Sequence, residues 1–326
     1  MQPARDDPAR LVDPPGWGYS LHNVREIVLA CLDAAEVRSI LEIGAFQGEL
    51  TEAMLDWAAK DGVPISTIDP VPPDQLLELG KRRPELEILT ETSHEVLAAL
   101  AALPDCVVID GDHNYYTLSE ELRLIGEKAG SDRIPLLFFH DVCWPHERRD
   151  TYYAPERIPP EHRQPIGENV GLAPGEPGVH PLGLPYPAAA LEEGGPGNGT
   201  VTAIEDFMAG RDSLRFGIVP AFFGLGVIWD EGAPWAADVT AVLAPFDRNP
   251  VLDRLEANRV EHMVAGHARA MLYWKAEEQR KQQEHLLRRM LGSRAFALAE
   301  KISAIQQRGK GPIFTREEVR KVLGDE

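Results

Sequence analysis

Residues 39–49, S-I-L-E-I-G-A-F-Q-G-E, decide how this chain is read. Ile40, Leu41 and Ile43 form an apolar run too short for a helix, so it reads as a buried strand. The strand breaks at Gly44 into a turn that reaches Gly48, and glycine, having no Cβ, lets a turn approach a ligand closely. Glu42 stands near the strand's carboxyl end, the edge where open α/β sheets bind ligands at a reversal of strand order.

The spacing is E-x-G-x-x-x-G, not the dinucleotide fingerprint G-x-G-x-x-G, and this disfavours a nicotinamide cofactor. It resembles the first motif of class I S-adenosylmethionine (SAM) methyltransferases. That resemblance implies a Rossmann-like, mostly parallel sheet with an antiparallel last strand, in the order three-two-one-four-five-seven-six. It also implies SAM as the cofactor.

The rest of the chain to residue 145 alternates strand and helix as such a sheet requires. Residues 20–36 carry Val24, Ile27, Val28, Cys31 and Leu32 at helical spacing. After a helix over 50–59, residues 64–69 form a second strand ending at Asp69, where βαβ nucleotide sites place a carboxylate for the ribose hydroxyls. A third strand covers 86–89, and Ser93 opens the next helix as its cap, near the expected adenine position. Strands four and five cover 105–110 and 135–139, with a helix over 117–128 between them. Residues 202–209 read as a helix, and 213–229 as two strands joined at Pro220, an antiparallel pair that closes the sheet.

Two strand ends concentrate the chemistry. The fourth runs V-V-I-D-G-D-H and the fifth L-L-F-F-H-D, so Asp110, Asp112, His113, His140 and Asp141 emerge at one sheet edge, beside the cofactor loop. Any one of them could cap a strand; five at adjoining ends argue for a functional site. The I-D-G-x-H segment and the later acid resemble the metal-dependent O-methyltransferases that modify antibiotic sugars, of the macrocin O-methyltransferase type, over roughly residues 20–145. By that match Asp110 both borders the cofactor and joins Asp141 as a magnesium ligand, and His113 is the general base. His140 departs from the pattern, which more often has a carboxylate there; imidazole suits zinc, iron or manganese better than magnesium, so His140 is read as a metal ligand or as a group orienting substrate. A further pattern, H-D-x-C-x-x-H over His140, Asp141, Cys143 and His146, lacks the paired C-x-x-C of strong zinc sites.

The chain has 326 residues and a net charge of −19, which opposes nucleic-acid binding. Three widely spaced cysteines and the lack of a long apolar run predict a cytoplasmic protein with no disulfide and no membrane span. Residues 1–19 are expected to be a Pro-rich arm, 20–250 the SAM-binding domain and 251–326 a helical extension that docks onto a second copy of the chain or onto the sheet, a homo-oligomer being the expectation. Within the domain, 142–200 are rich in Pro and Gly and read as a lid without regular structure. The resulting expectation is a SAM-dependent, metal-assisted O-methyltransferase acting on a sugar or glycoside hydroxyl. Its rivals are a metal-independent methyltransferase with a His base and, in another class, an NAD(P)-binding oxidoreductase.

Overall fold

The computed structural model describes residues 19–130, 133–306 and 315–323; the arm expected over 1–19 lies outside them except for Tyr19. Among the described residues nine strands form two sheets. The larger holds β1 (Ile40–Ile43), β2 (Ile65–Ile68), β3 (Leu86–Leu89), β4 (Cys106–Ile109), β5 (Leu136–His140), β8 (Leu214–Val219) and β9 (Leu225–Asp230). Their order is β3-β2-β1-β4-β5-β9-β8, with β9 antiparallel to both neighbours and the first five strands parallel. This is the expected order once two further strands, β6 (Ile166–Leu172) and β7 (Leu184–Ala190), are counted in the chain.

Alternation along the strands divides the core in two. Ile40, Cys106 and Val108 face one layer with α1 (Arg25–Ala34), α2 (Glu49–Ala58) and α7 (Ala236–Leu243). Leu41, Ile43, Val107 and Ile109 face the other with α4 (Ser93–Ala99), α5 (Tyr115–Ala129) and α6 (Thr200–Met208). Each helix buries the residues its period brings round: Val28, Cys31 and Leu32 in α1, Leu118, Leu122 and Ile125 in α5. A short charged helix, α3 (Asp74–Arg82), buries only Leu76 and Leu79.

The insertion is not a structureless lid. It contains two 3₁₀ turns and the antiparallel β6–β7 hairpin. Polar groups hold it where apolar periodicity is lacking. Asp150, fully buried, accepts the Tyr115 N–H at 2.7 Å, the Gly199 N–H at 2.7 Å and the Tyr152 hydroxyl at 2.9 Å. Arg149 donates to the carbonyls of Ala190 and Pro177, and the Asn198 amide to those of Glu192 and Gly194. Paired this way, buried polar groups avoid the desolvation cost that would otherwise exclude them from a core.

The chain divides into units 1–265 and 266–326, so the boundary falls later than residue 250. A single helix, α8 (Pro250–Gly292), passes through it. Its first turns belong with the sheet: Val260 and Met263 pack with Phe223 and Leu184, whereas Met271 and Trp274 further along are exposed. The second unit adds α9 (Arg294–Gln306) and α10 (Arg316–Leu323). Among the described residues no helix is long and apolar enough to cross a membrane.

Candidate active site

Strand ends β1, β2, β4 and β5 set the site. The β1 loop turns at Gly44 (φ 84), Phe46 (φ 47) and Gly48 (φ 80). Phe46 is 67% exposed in a left-handed conformation that phenylalanine rarely adopts, the kind of strain that collects at ligand loops. Gly44 is required by the chain itself: a Cβ there would stand 2.2 Å from the Asp110 carbonyl oxygen. The β1 and β4 loops thus touch through backbone, which brings Asp110 against the glycine turn. Gly48, in turn, would press a Cβ against the Leu79 side chain and is the left-handed residue before α2. Glu42 is buried and accepts the Thr51 hydroxyl at 2.6 Å; burial pushes its carboxyl up to about 7.

Asp69 is half-buried at the end of β2, its Oδ1 accepting the Val71 N–H at 3.0 Å. Ser93 is not the cap of α4. Thr92 caps it, in a reciprocal arrangement with Glu95, and Ser93 turns inward to bond Glu121, a buried carboxyl that desolvation lifts to about 8. Nor does His113 cap α5, since Asn114 does so through the Thr117 N–H. Asp112 binds the Tyr153 N–H at 3.1 Å and the Thr117 hydroxyl at 3.4 Å, and burial raises it to about 6.

His113, His140, Asp110 and Asp141 come together as expected, and His146 joins them. Asp141 Oδ2 is flanked at 3.2 Å by Nε2 of both His113 and His146, while its Oδ1 is buried without a hydrogen bond, 3.6 Å from His140 Nε2. Asp141 itself is left-handed (φ 58), and the Thr200 hydroxyl secures it by donating to its carbonyl at 2.7 Å. His140 donates from Nδ1 to Asp110 Oδ1 at 3.0 Å and from Nε2 to the Phe222 carbonyl at 2.9 Å. With an acceptor at each ring nitrogen His140 is an imidazolium. Burial opposes that charge, but Asp141, Asp110 and the two hydrogen bonds outweigh it and raise the ring to about 10. His113 and His146 behave oppositely. Burial drives each down to about 3, Asp141 only partly restoring His113 and the His140 charge lowering both further, so both rings are neutral at ordinary pH. Asp141 is raised by burial against the pull of His140 and His113.

Three members of this wall lie in segments without periodicity. His146 entered the sequence reading only as part of a zinc pattern, yet it packs 5.0 Å from the His113 ring and bonds Thr151 Oγ1 at 3.0 Å. Tyr186, from β7, brings its hydroxyl to 3.4 Å from His146 Nε2. Tyr153 stacks edgewise 5.8 Å from His113. No sequence signal marks the two tyrosines.

The expected ion ligands do not fit that role as a set. His140 has both ring nitrogens engaged, and among the described residues no three His, Cys, Asp or Glu side chains are arranged to hold a metal ion. The loop of Gly44, Phe46 and Gly48 together with Asp69 does fit a nucleoside cofactor: a strained turn and a strand-end carboxylate adjoin at the carboxyl edge, Gly44 N–H bonding the Ile68 carbonyl at 2.8 Å.

No family model matches the chain, and no curated protein matches it. Among solved structures the chain is similar to Streptomyces venezuelae DesVI, at 13% identity over 68% of this chain and 95% of that one, with a TM-score of 0.39. It is also similar to a SAH-bound Podospora anserina methyltransferase, at 14% identity over 71% of this chain and 98% of that one, with a TM-score of 0.38. A third likeness, at 14% identity over 66% and 93% with a TM-score of 0.38, is to the SAM-bound amino pentose methyltransferase of Micromonospora echinaspora involved in calicheamicin biosynthesis.

Proposed function

We propose that this chain is a SAM-dependent O-methyltransferase of small molecules, with His113 as the base. The observation that carries the reading is a neutral, buried imidazole whose Nε2 faces a carboxylate oxygen at 3.2 Å, on the strand end that abuts the glycine turn. SAM, when bound, supplies an electrophilic methyl group and its own leaving group, so the protein's task is to align an acceptor and take its proton. Asp69 and the 44–48 turn would hold the cofactor. His113 receives the proton of the attacking hydroxyl at Nδ1, its Nε2–H being directed at Asp141 Oδ2, which offsets the burial of the imidazolium so formed. The fixed charge of His140 balances Asp110 and keeps it from competing for His113, from which it stands 3.9 Å.

A sugar, glycoside or related polyol is the acceptor we propose, on the strength of the motif resemblance and the aromatic wall of Tyr153 and Tyr186. The divalent ion implied by that resemblance has in its favour Asp141 Oδ1, which accepts no hydrogen bond and meets only His140 Nε2 at 3.6 Å, and has the engaged nitrogens of His140 against it. We therefore write the reaction without one. Calorimetric titration with SAM, S-adenosylhomocysteine and NAD, each with and without chelator, is the test. SAM binding and turnover that survive chelator are expected; turnover lost in chelator with SAM affinity intact would restore the metal route, and NAD binding in place of SAM would overturn the reading. In the same titration Asp69→Ala is expected to weaken SAM by roughly 1.5–3 kcal/mol, the worth of a hydrogen bond to a charged acceptor. Unchanged affinity in the folded variant would remove Asp69 from the site.

For the helical tail we propose pairing with a second copy of this chain along α8, where Leu272 and Leu286, two heptads apart, and Met290 are all more than half exposed. Light scattering on the full chain should give twice the 36.0 kDa of one copy, and a single-copy mass at micromolar concentration would refute it.

A further inference from the structure

Between β8 and β9 the chain passes through three successive left-handed residues, Phe222 (φ 54), Phe223 (φ 66) and Gly224 (φ 94). For two phenylalanines this is strained backbone, which persists only where the surroundings impose it. What imposes it here is Glu256 of α8, only 8% exposed. Its Oε2 accepts the Phe222 N–H at 3.0 Å and its Oε1 the Phe223 N–H at 2.7 Å. Successive N–H groups in this conformation form a concavity that suits an anion. Arg259 closes the other side with Nε at 2.7 Å and Nη2 at 2.6 Å from the same two oxygens, its guanidinium 4.6 Å above the Phe223 ring. Burial disfavours the Glu256 charge, but Arg259 and the two N–H groups outweigh it and hold the carboxyl below its usual range.

One peptide unit links this clamp to the site. The group joining Phe222 to Phe223 is planar, so its carbonyl and its N–H point in opposite directions. Glu256 holds the N–H; the carbonyl of that unit is the acceptor for His140 Nε2 at 2.9 Å. From His140 the line continues through Nδ1 to Asp110 at 3.0 Å. A carboxylate on the N–H side polarises the peptide and strengthens the bond its carbonyl accepts.

We propose that Glu256 is a positioning residue for the candidate active site: through the Phe222–Phe223 peptide it fixes the His140 ring, which in turn keeps Asp110 paired with His140 and leaves His113 to Asp141. The distances agree, His113 Nε2 being 3.2 Å from Asp141 and 3.9 Å from Asp110, and His140 being 3.0 Å from Asp110 against 3.6 Å from Asp141. The inference rests on the methyltransferase reading for its catalytic consequence, though the coupling itself does not.

Glu256→Gln in the full chain, labelled with ¹⁵N-histidine, tests it. The His140 ring Nε2–H signal, assigned by its loss in His140→Gln, is expected to shift or to exchange away. Turnover should fall by up to about 10²-fold, as for a small misplacement transmitted from outside the chemistry, with SAM affinity held. An unmoved ring signal in the folded variant overturns the proposal, whatever happens to thermal stability. Should Glu256→Gln not fold, Glu256→Asp retains the charge on a shorter stem and is read by the same signal: a shift supports the proposal and its absence overturns it. Failure of the methyltransferase reading looks different, because a wild-type chain that binds no SAM would still carry the ring signal and its response at Glu256.

Discussion

Replacing His113 with Gln is expected to lower turnover about 10²–10⁴-fold while SAM affinity holds, the usual worth of a positioned base. The effect follows from place and charge together. The ring is 7% exposed, and burial keeps it unprotonated far below the usual histidine range, so across ordinary pH it is ready to accept a proton. The acidic limb of kcat/KM in the wild type should accordingly lie nearer pH 3 than pH 6.5, and the residual activity of the variant should lack it. A variant with near-normal turnover and the same limb would move the base elsewhere, with His146, neutral for the same reason, the next to examine.

The second large effect is on folding. Gly44→Ala adds a Cβ 2.2 Å from the Asp110 carbonyl oxygen and 2.6 Å from the Gly111 Cα, both backbone atoms that cannot swing aside. The left-handed conformation costs roughly 1–3 kcal/mol for a residue with a side chain. Forcing the β1 and β4 loops apart adds about 1–3 kcal/mol more, a large part of the 5–15 kcal/mol that holds an ordinary domain together. Gly62 is a built-in comparison, left-handed at φ 65 with nothing within 4 Å of the added atom. Denaturant unfolding of the two alanine variants separates strain from collision: Gly44→Ala should lose several kcal/mol and Gly62→Ala only the first part. Equal losses would mean that the loops separate freely.

The parallel sheet was readable because its strands are short apolar runs such as Ile40–Ile43 and Cys106–Ile109, set between helices with a period of 3.6. The half of the site formed by Asp110, His113, His140 and Asp141 was readable for a related reason, since polar residues at the ends of buried strands have few structural uses. The reading failed where side-chain chemistry, and not periodicity, organises the chain. The insertion's Pro and Gly content concealed a hairpin held by Arg149, Asp150 and Asn198, each of which bonds a backbone group dozens of residues away. Glu256 forms an ordinary i, i+3 helix pair with Arg259, but its carboxylate also binds two N–H groups that no pattern in residues 220–224 announces. Gly44 has a second reason that the sequence pattern does not show. Its missing Cβ makes room for the chain's own backbone.

Segment 142–200 was described as a folded insertion that carries His146 and Tyr186 into contact with the strand-end cluster. It is therefore not an interchangeable cassette. Replacing it with a different loop to change which acceptor is admitted would also remove an imidazole 3.2 Å from Asp141 and release the Asp150 tie to Tyr115 at the first turn of α5, two residues after His113. On the proposed function, acceptor scope and proton handling would be inherited together in this chain, so new specificities should be sought by point changes at the exposed ring of Tyr153, which packs against His113, before whole-segment exchange.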